Sequence, residues 1–168
     1  MIALIQRVNY AKVVIEGQLY SEIDKGALAL IGIEKKDTNT TADKLLDKIL
    51  AYRIFVDIEG KMNLSLTDVE GGLMLVSQFT LAATTDKGLR PGFSSAMPPQ
   101  DAKVLFEYLV SSAKEKYAIV GSGQFAANMQ VALENDGPVT FSLRAWVKSF
   151  FIDYPLLRLD AFELVAQQ

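Results

Sequence analysis

The chain of 168 residues contains no cysteine and no histidine. Without cysteine it can form neither a disulfide nor a thiolate nucleophile nor a zinc–thiolate site. Without histidine it lacks the commonest general base, the commonest metal ligand and the base of a serine or cysteine triad. Any catalysis must therefore proceed without imidazole, and we expect neither a metal nor another cofactor.

The sequence also lacks an apolar run long enough to span a membrane, and its first residues do not have the pattern of a signal peptide. We therefore expect no membrane association and a cytoplasmic location. The net charge of −3 gives no general attraction to nucleic acid, so an RNA partner would have to be held locally or by its end. The length and a hydrophobic content of 50% fit one globular domain.

Hydrophobic periodicity predicts a single α/β domain with an antiparallel or mixed sheet and two amphipathic helices. The predicted strands cover residues 2–8, 11–15, 18–23, 27–33, 53–58, 62–66 and 72–76. The predicted helices cover residues 37–53 and a second segment that begins at Pro99. The apolar run at 27–33 shows no alternation, which predicts a central strand covered on both faces.

The most unusual stretch is the SQFTL sequence at 77–81, at the end of the buried strand 72–76. It places the hydrogen-bonding side chains of Ser77, Gln78 and Thr80 within four residues. Such side chains often form hydrogen bonds only to the nearby backbone or to water. If this stretch is considered by itself, that structural interpretation is favoured over a functional one. The alternative is a rigid strand end that presents amide and hydroxyl groups to a ligand.

The segment 82–99 is rich in glycine, proline and small polar residues, which predicts a long ordered loop. It carries Lys87 and Arg90, which fit either a solvated surface or a phosphate-contacting edge beside the strand end. Further on, the GSGQFA sequence at 121–126 matches a loose dinucleotide fingerprint. Because residues 125–131 then alternate as in a strand and no helix follows, we do not expect a nucleotide there.

The second unusual stretch is NDGPVT at 135–140, a Gly-Pro pair after Asn-Asp. Alone it predicts a tight turn before the last strand. The combination of NDGPVT with the SQFTL sequence is more specific than either stretch alone and indicates a known protein family. The chain resembles the D-aminoacyl-tRNA deacylase family, also called D-tyrosyl-tRNA deacylase. The resemblance extends in order over residues 1 to about 144, through IQRV at 5–8, GIEK at 32–35, Asp37, KMNLS at 61–65, SQFTL, Arg90-Pro91, Pro98-Pro99, Phe125, MQV at 129–131 and NDGPVT.

The resemblance implies an enzyme that hydrolyses the ester between a D-amino acid, or glycine, and the 3′ adenosine of tRNA, and that spares L-aminoacyl-tRNA. It also implies a barrel-like core in a domain formed by residues 1–145. Ser77, Gln78, Phe79 and Thr80 would form the catalytic wall. Phe125 and Met129 would hold the adenine, and Ala102 would lie near the ribose.

The family resemblance further implies a homodimer in which the Gly137–Pro138 pair, joined by a cis bond, enters the partner's pocket and inspects chirality. A rigid backbone carbonyl at Gly137 would exclude an L side chain, whereas glycine would pass. Arg7 matches the start of the family pattern. It would either steady this loop through backbone carbonyls or form an ordinary surface salt bridge.

The chain departs from the family pattern at three places. Ala126 stands where a small glycine is usual, and Asn128 stands where an aspartate is usual. Residues 146–168 add an apolar extension that the family pattern does not explain, and we expect it to pack on the body because it is too apolar to remain in water.

An aminoacyl ester is already reactive toward water and carries a vicinal ribose hydroxyl, so positioning and oxyanion donors can suffice for catalysis. Attack by Thr80 is the second possibility, which ranks lower because no basic or acidic residue adjoins it. Two nonenzymatic classes compete with this interpretation. One is a dimeric module that binds an RNA end or a nucleotide, and the other is a purely structural dimer.

Overall fold

The computed structural model describes residues 1–86 and 88–146. It contains eight strands, two α-helices and one 3₁₀ helix within this part of the chain. In chain order they are β1 Ile2–Ile15, β2 Gln18–Ile23, β3 Gly26–Gly32, α1 Asn39–Ala51, β4 Phe55–Val56, β5 Met62–Leu64, β6 Gly72–Ser77, the 3₁₀ helix Phe79–Ala82, α2 Pro99–Lys116, β7 Val120–Ser122 and β8 Met129–Arg144. The predicted single α/β domain with two helices is confirmed.

The main sheet has the strand order β2-β1-β3-β6-β7, and β8 pairs with β1. β3 is antiparallel to β1 and parallel to β6, so it is the central strand that its unbroken apolar sequence predicts. The outer strands β2 and β7 approach each other, and the Ser122 amide donates to Ser21 Oγ at 3.2 Å. The mixed sheet therefore curls into a nearly closed barrel.

β1 is one continuous strand, and the prediction of two strands around Asn9-Tyr10 was wrong. Its first half pairs with β3 and its second half with β2, while β8 runs antiparallel along both halves. The β1–β8 register shifts between Gln6 and Val8 and again between Val8 and Tyr10. At the second shift Asn9 has no partner on β8, and at the first shift residues 136–139 of β8 form a loop opposite Arg7. The two strands keep pairing on either side of both irregularities.

Both helices pack on one face of the sheet, as their amphipathic patterns predict. Leu45, Leu46, Phe106 and Leu109 are almost fully buried in this layer. Each such side chain contributes roughly 1.5–3 kcal/mol by leaving water. The Tyr108 hydroxyl also donates to the Asp43 carboxylate at 3.0 Å and so joins α2 to α1.

Two other sequence predictions require correction. β4 contains only two residues of the predicted strand 53–58, because Asp57 ends it by accepting hydrogen bonds from the amides of Glu59 and Lys61 and from the Asn63 side chain. These bonds, that from the Lys61 amide foremost, lower the pKa of Asp57. Residues 125–128 form a turn with Ala126 at φ 62°, and the last strand starts only at Met129.

Within the described residues, no helix is long and apolar enough to cross a membrane.

The predicted packing of the apolar extension concerns residues 146–168. Trp146 is exposed, and residues 147–168 lie outside the described part of the chain. Lys87, one of the two loop cations singled out from the sequence, also lies outside it.

Candidate active site

The first wall of the site is the end of β6 and the 3₁₀ helix that follows it. The Gln78 amide donates to the Ile31 carbonyl of β3 at 2.7 Å, which anchors the turn to the centre of the sheet. The Gln78 side chain donates to Thr80 Oγ at 2.7 Å. Ser77 and Gln78 are half-buried, whereas Phe79 and Thr80 are exposed. The polar side chains therefore belong to a fixed strand end.

The second wall is the segment 93–99, which leads into α2. Its backbone is tied to the strand end of β3, because the Met97 amide donates to the Ile33 carbonyl at 3.0 Å and the Lys35 amide donates to the Ser95 carbonyl at 3.1 Å. The Ser95 hydroxyl donates to the Ala82 carbonyl. This network explains how a loop without regular structure holds a defined shape.

The third wall is the turn between β7 and β8. Phe125 packs against Phe106 of α2 with ring centroids 6.1 Å apart, and Met129 packs beside Gly123 and Val76. Ala126 adopts a left-handed backbone conformation at φ 62°, a region that favours glycine. The alanine that replaces the family glycine thus keeps the backbone conformation for which glycine is suited.

The three walls enclose a cavity of about 780 Å³. Its lining residues are Ile31, Ile33, Val76, Ser77, Gln78, Phe79, Phe93, Ala96, Met97, Pro98, Pro99, Ala102, Phe125, Ala126, Ala127, Asn128, Met129 and Val131. Only Ser77, Gln78 and Asn128 of these have polar side chains, and none is ionisable. The cavity has the size and apolar character of a small-molecule or nucleoside site.

The NDGPVT stretch lies on β8, and the Gly137–Pro138 bond is cis as predicted. Arg7 is buried beside it. The Arg7 Nε donates to the Asp136 carbonyl at 3.0 Å, and its Nη1 donates to the Ile54 carbonyl at 2.8 Å. Arg7 thus contacts one backbone carbonyl of the loop, that of Asp136, as predicted, and the alternative contact is also present, a salt bridge from Nε to the Asp136 carboxylate at 3.1 Å.

Of the residues singled out from the sequence, Ser77, Gln78, Phe79, Ala102, Phe125 and Met129 line one cavity. Thr80 adjoins it through Gln78 without lining it, and Gly137 and Pro138 are exposed and do not line the cavity of their own chain. Sequence reasoning missed Phe93 and Met97, whose only signal was that they are large apolar residues in a loop rich in small and polar ones. Arg90 is exposed and is not among the lining residues.

The resolved pKa shifts lie away from the cavity. Hydrogen bonds lower the pKa of Asp68, with the Ser65 hydroxyl the largest cause, and burial raises the pKa of Tyr117. Within residues 1–86 and 88–146 no three acidic side chains are grouped so that they could hold a metal ion. The side chains of Ser77, Gln78 and Asn128 can orient a bound molecule and form hydrogen bonds with it.

A family model described as D-Tyr-tRNA(Tyr) deacylase matches residues 4–144. The chain belongs to this family. A D-aminoacyl-tRNA deacylase of Pseudomonas fluorescens strain Pf0-1 is 57% identical over 144 residues, which is 86% of this chain and 99% of the relative. One of Cellvibrio japonicus is 56% identical over 143 residues, 85% of this chain and 98% of the relative. These matches confirm the predicted family and the enzyme class, a hydrolase.

Solved structures agree with the family fold. A c-Myc DNA Unwinding Element Binding Protein is 36% identical with a TM-score of 0.83, covering 88% of this chain and all of the other. A probable eukaryotic D-amino acid tRNA deacylase has a TM-score of 0.72 at 14% identity, covering 84% of this chain and 98% of the other, and it supports the fold alone. Both confirm the barrel-like α/β architecture of the deacylase family.

Proposed function

We propose that the protein hydrolyses the ester of D-aminoacyl-tRNA, and of tRNA carrying glycine, and spares L-aminoacyl-tRNA. One observation carries the proposal. Ser77, Gln78 and Phe79 face Phe125 and Met129 across one uncharged cavity, in a chain of the deacylase family. The adenine would occupy the apolar side and the ester would lie against the polar strand end. Residues 1–145 form the proposed catalytic unit, acting in the cytoplasm, where aminoacyl-tRNA serves protein synthesis.

In the proposed reaction water attacks the ester carbonyl carbon and the bond from that carbon to the ribose oxygen breaks. The proton from water passes to the ribose oxygen, which leaves a free amino acid and an intact tRNA 3′ end. The carbonyl oxygen becomes negative in the transition state. The amides of Phe79 and Thr80 begin the 3₁₀ helix, where the first N–H groups have no partner within the helix, and they are the proposed donors to this oxygen.

The geometry favours positioning over covalent catalysis by Thr80. A threonine nucleophile needs a base to take its proton, and among residues 1–86 and 88–146 none that lines the cavity is ionisable. Thr80 Oγ accepts a hydrogen bond from Gln78, which fixes the Gln78 side chain at the cavity wall. In this proposal the ribose hydroxyl next to the ester helps to orient the attacking water.

Chirality selection in this proposal comes from a second copy of the chain. Gly137 and Pro138 are exposed, and they are absent from the cavity of their own chain. In a symmetric dimer each loop would enter the partner's cavity, where the Gly137 carbonyl would block an L side chain. Arg7 supports this role because it fixes the Asp136 carbonyl from a buried position.

Subunit complementation tests the exchange of loops. In Gly137→Ala the added carbon would lie 2.7 Å from Val139 Cγ2 at a φ of +131°, so the loop is distorted. Gln78→Ala damages the wall instead. Gly137→Ala alone should therefore release L-tyrosine from L-tyrosyl-tRNA, because its wall is intact and its selector is distorted. If the loop acts in trans, random exchange with Gln78→Ala supplies an intact loop to about half of the Gly137→Ala walls, so the release of L-tyrosine per Gly137→Ala subunit falls by about half. No fall in proven mixed dimers would contradict the loop exchange.

The second candidate function is a nucleic-acid-binding module without catalysis. It is favoured by the likeness to the protein named as a DNA unwinding element binding protein. Release of D-tyrosine from D-tyrosyl-tRNA by the purified protein separates the two functions, since a binding module shields the ester without turning it over. We expect multiple turnovers by the wild type and a large loss in Gln78→Ala. Binding without turnover would support the module instead.

A further inference from the structure

Phe79 and Phe93 form an exposed aromatic pair at the mouth of the cavity. Their ring centroids lie 5.0 Å apart with an interplanar angle of 51°. Phe79 is 62% exposed and Phe93 is 40% exposed, although both also line the cavity. Large aromatic side chains are usually buried, so two neighbouring exposed rings beside a ligand cavity indicate a binding surface.

The pair is held rigidly, which a stacking surface requires. Phe79 follows Gln78, whose amide is anchored to the central strand. Phe93 follows Gly92, which exchanges two backbone hydrogen bonds with Thr84, at 2.8 and 3.0 Å. The Phe93 carbonyl in turn accepts from the Ala96 amide at 3.1 Å. Little conformational freedom of the backbone is left to lose when a ligand stacks on the rings.

We propose that the Phe79–Phe93 pair is a stacking platform for the nucleobase that precedes the terminal adenosine of the tRNA. This inference rests on the proposed function. A cavity of about 780 Å³ is in the range that holds one nucleoside with its aminoacyl group, so the preceding nucleotide must lie outside it. Single-stranded nucleic acid binds proteins by stacking on exposed aromatic rings, largely without regard to base identity.

The uncharged character of the cavity supports the same assignment. None of the described residues that line it is ionisable, so these residues do not attract phosphate into the cavity. Stacking supplies affinity without charge, and it would set the depth to which the terminal nucleoside enters. Phe93 would thus contribute to binding of the RNA end rather than to the chemical step.

The test compares three substrates that carry D-tyrosine: adenosine, the dinucleotide CA, and a dinucleotide with an abasic residue in place of the cytidine. We expect the wild type to favour CA over the abasic form by about 5- to 30-fold in kcat/KM, the lower part of the range known for base stacking. Phe93→Ala should reduce this ratio toward one, and Phe93→Trp should retain it. Ile58→Ala removes an exposed apolar side chain from the turn between β4 and β5 and should leave the ratio unchanged.

Several results would overturn the platform. An equal preference for CA in Phe93→Ala and wild type would do so, and so would a wild type that does not distinguish CA from the abasic form. Dissociation of Phe93→Ala into monomers, seen by light scattering, would assign the rings to a contact with a second copy instead. If Phe93→Ala does not fold, Phe93→Leu gives the same test, because it keeps apolar bulk without an aromatic face. Failure to hydrolyse even D-tyrosyl-adenosine would contradict the proposed function itself.

Discussion

Replacing Arg7 by methionine should destabilise the protein and loosen the Gly137 loop. The guanidinium donates to two backbone carbonyls, those of Ile54 and Asp136, at 2.8 and 3.0 Å. Methionine has a similar length but no donor, so both carbonyls lose a charged partner in a largely buried setting. A hydrogen bond to a charged group contributes about 1.5–3 kcal/mol, and such losses are not fully additive.

We therefore expect the free energy of unfolding of Arg7→Met to fall by about 3 kcal/mol. For a domain of this size each kcal/mol corresponds to roughly 2–4 °C in Tm, which gives a decrease of about 6–12 °C. Arg7→Lys keeps the charge but presents a single compact donor group, so it should lose about half as much. Urea unfolding and thermal melts at fixed protein concentration measure both changes.

Asp136→Asn is the matched control. It removes the carboxylate that pairs with Arg7 but keeps the backbone carbonyl, and that carboxylate is 39% exposed. Its loss should be at most about 1 kcal/mol. Two results would refute the reasoning: an Arg7→Met protein as stable as the wild type, or an Asp136→Asn protein as unstable as Arg7→Met. The second result would assign the stabilisation to an ion pair instead of the carbonyl contacts.

Four other substitutions give three further predictions. Ala126→Gly should raise the free energy of unfolding by about 0.5–1 kcal/mol in urea titrations, because glycine adopts φ 62° without strain; a decrease would contradict this. Gln78→Ala removes a side chain that positions the ester at the wall and should lower kcat about 100-fold, whereas Thr80→Ala should lower it less than tenfold; an acyl-enzyme trapped on Thr80 in single-turnover experiments would reverse the ranking. Hydrogen bonds lower the pKa of Asp57 in the folded state below its usual value of 3.8. The ionised carboxylate therefore stabilises the fold above pH 3.8, and this stabilisation is lost as the pH falls through the lowered pKa. The stability difference between wild type and Asp57→Asn should therefore shrink in acid, and a difference independent of pH would count against this.

The helices and strands whose sequences have a strong hydrophobic pattern could be predicted from the sequence. The apolar stripe of α1, the proline that begins α2 and the unbroken run of β3 each depend on local pattern, and each appears where it was expected. The continuity of β1 could not be predicted, since it depends on β8, a strand more than a hundred residues away. Phe125 and Ala127 of the turn at 125–128 are in phase with the apolar residues Met129 and Val131, so the sequence of the turn is also compatible with a strand.

Some residues of the candidate site could likewise be predicted from the sequence, and others could not. Ser77 and Gln78 were singled out as polar residues at the end of a buried strand, and Phe125 and Met129 through the family resemblance. The fold brings all four to one cavity. Phe93 was not singled out, because a loop residue has no periodic neighbours that reveal which way its side chain points. Its place at the cavity mouth depends on tertiary contacts, the hydrogen bonds of Gly92 with Thr84 and of Met97 with Ile33.

The most direct test of the proposed function is a comparison of tRNA charged with D-tyrosine, L-tyrosine and glycine in one deacylation assay. Dimer formation would be verified in the same preparation. Rapid release of D-tyrosine and glycine, with L-tyrosyl-tRNA left intact at the same enzyme concentration, is the expected result. Release of L-tyrosine at the rate of D-tyrosine, or no release of D-tyrosine at all, would contradict it.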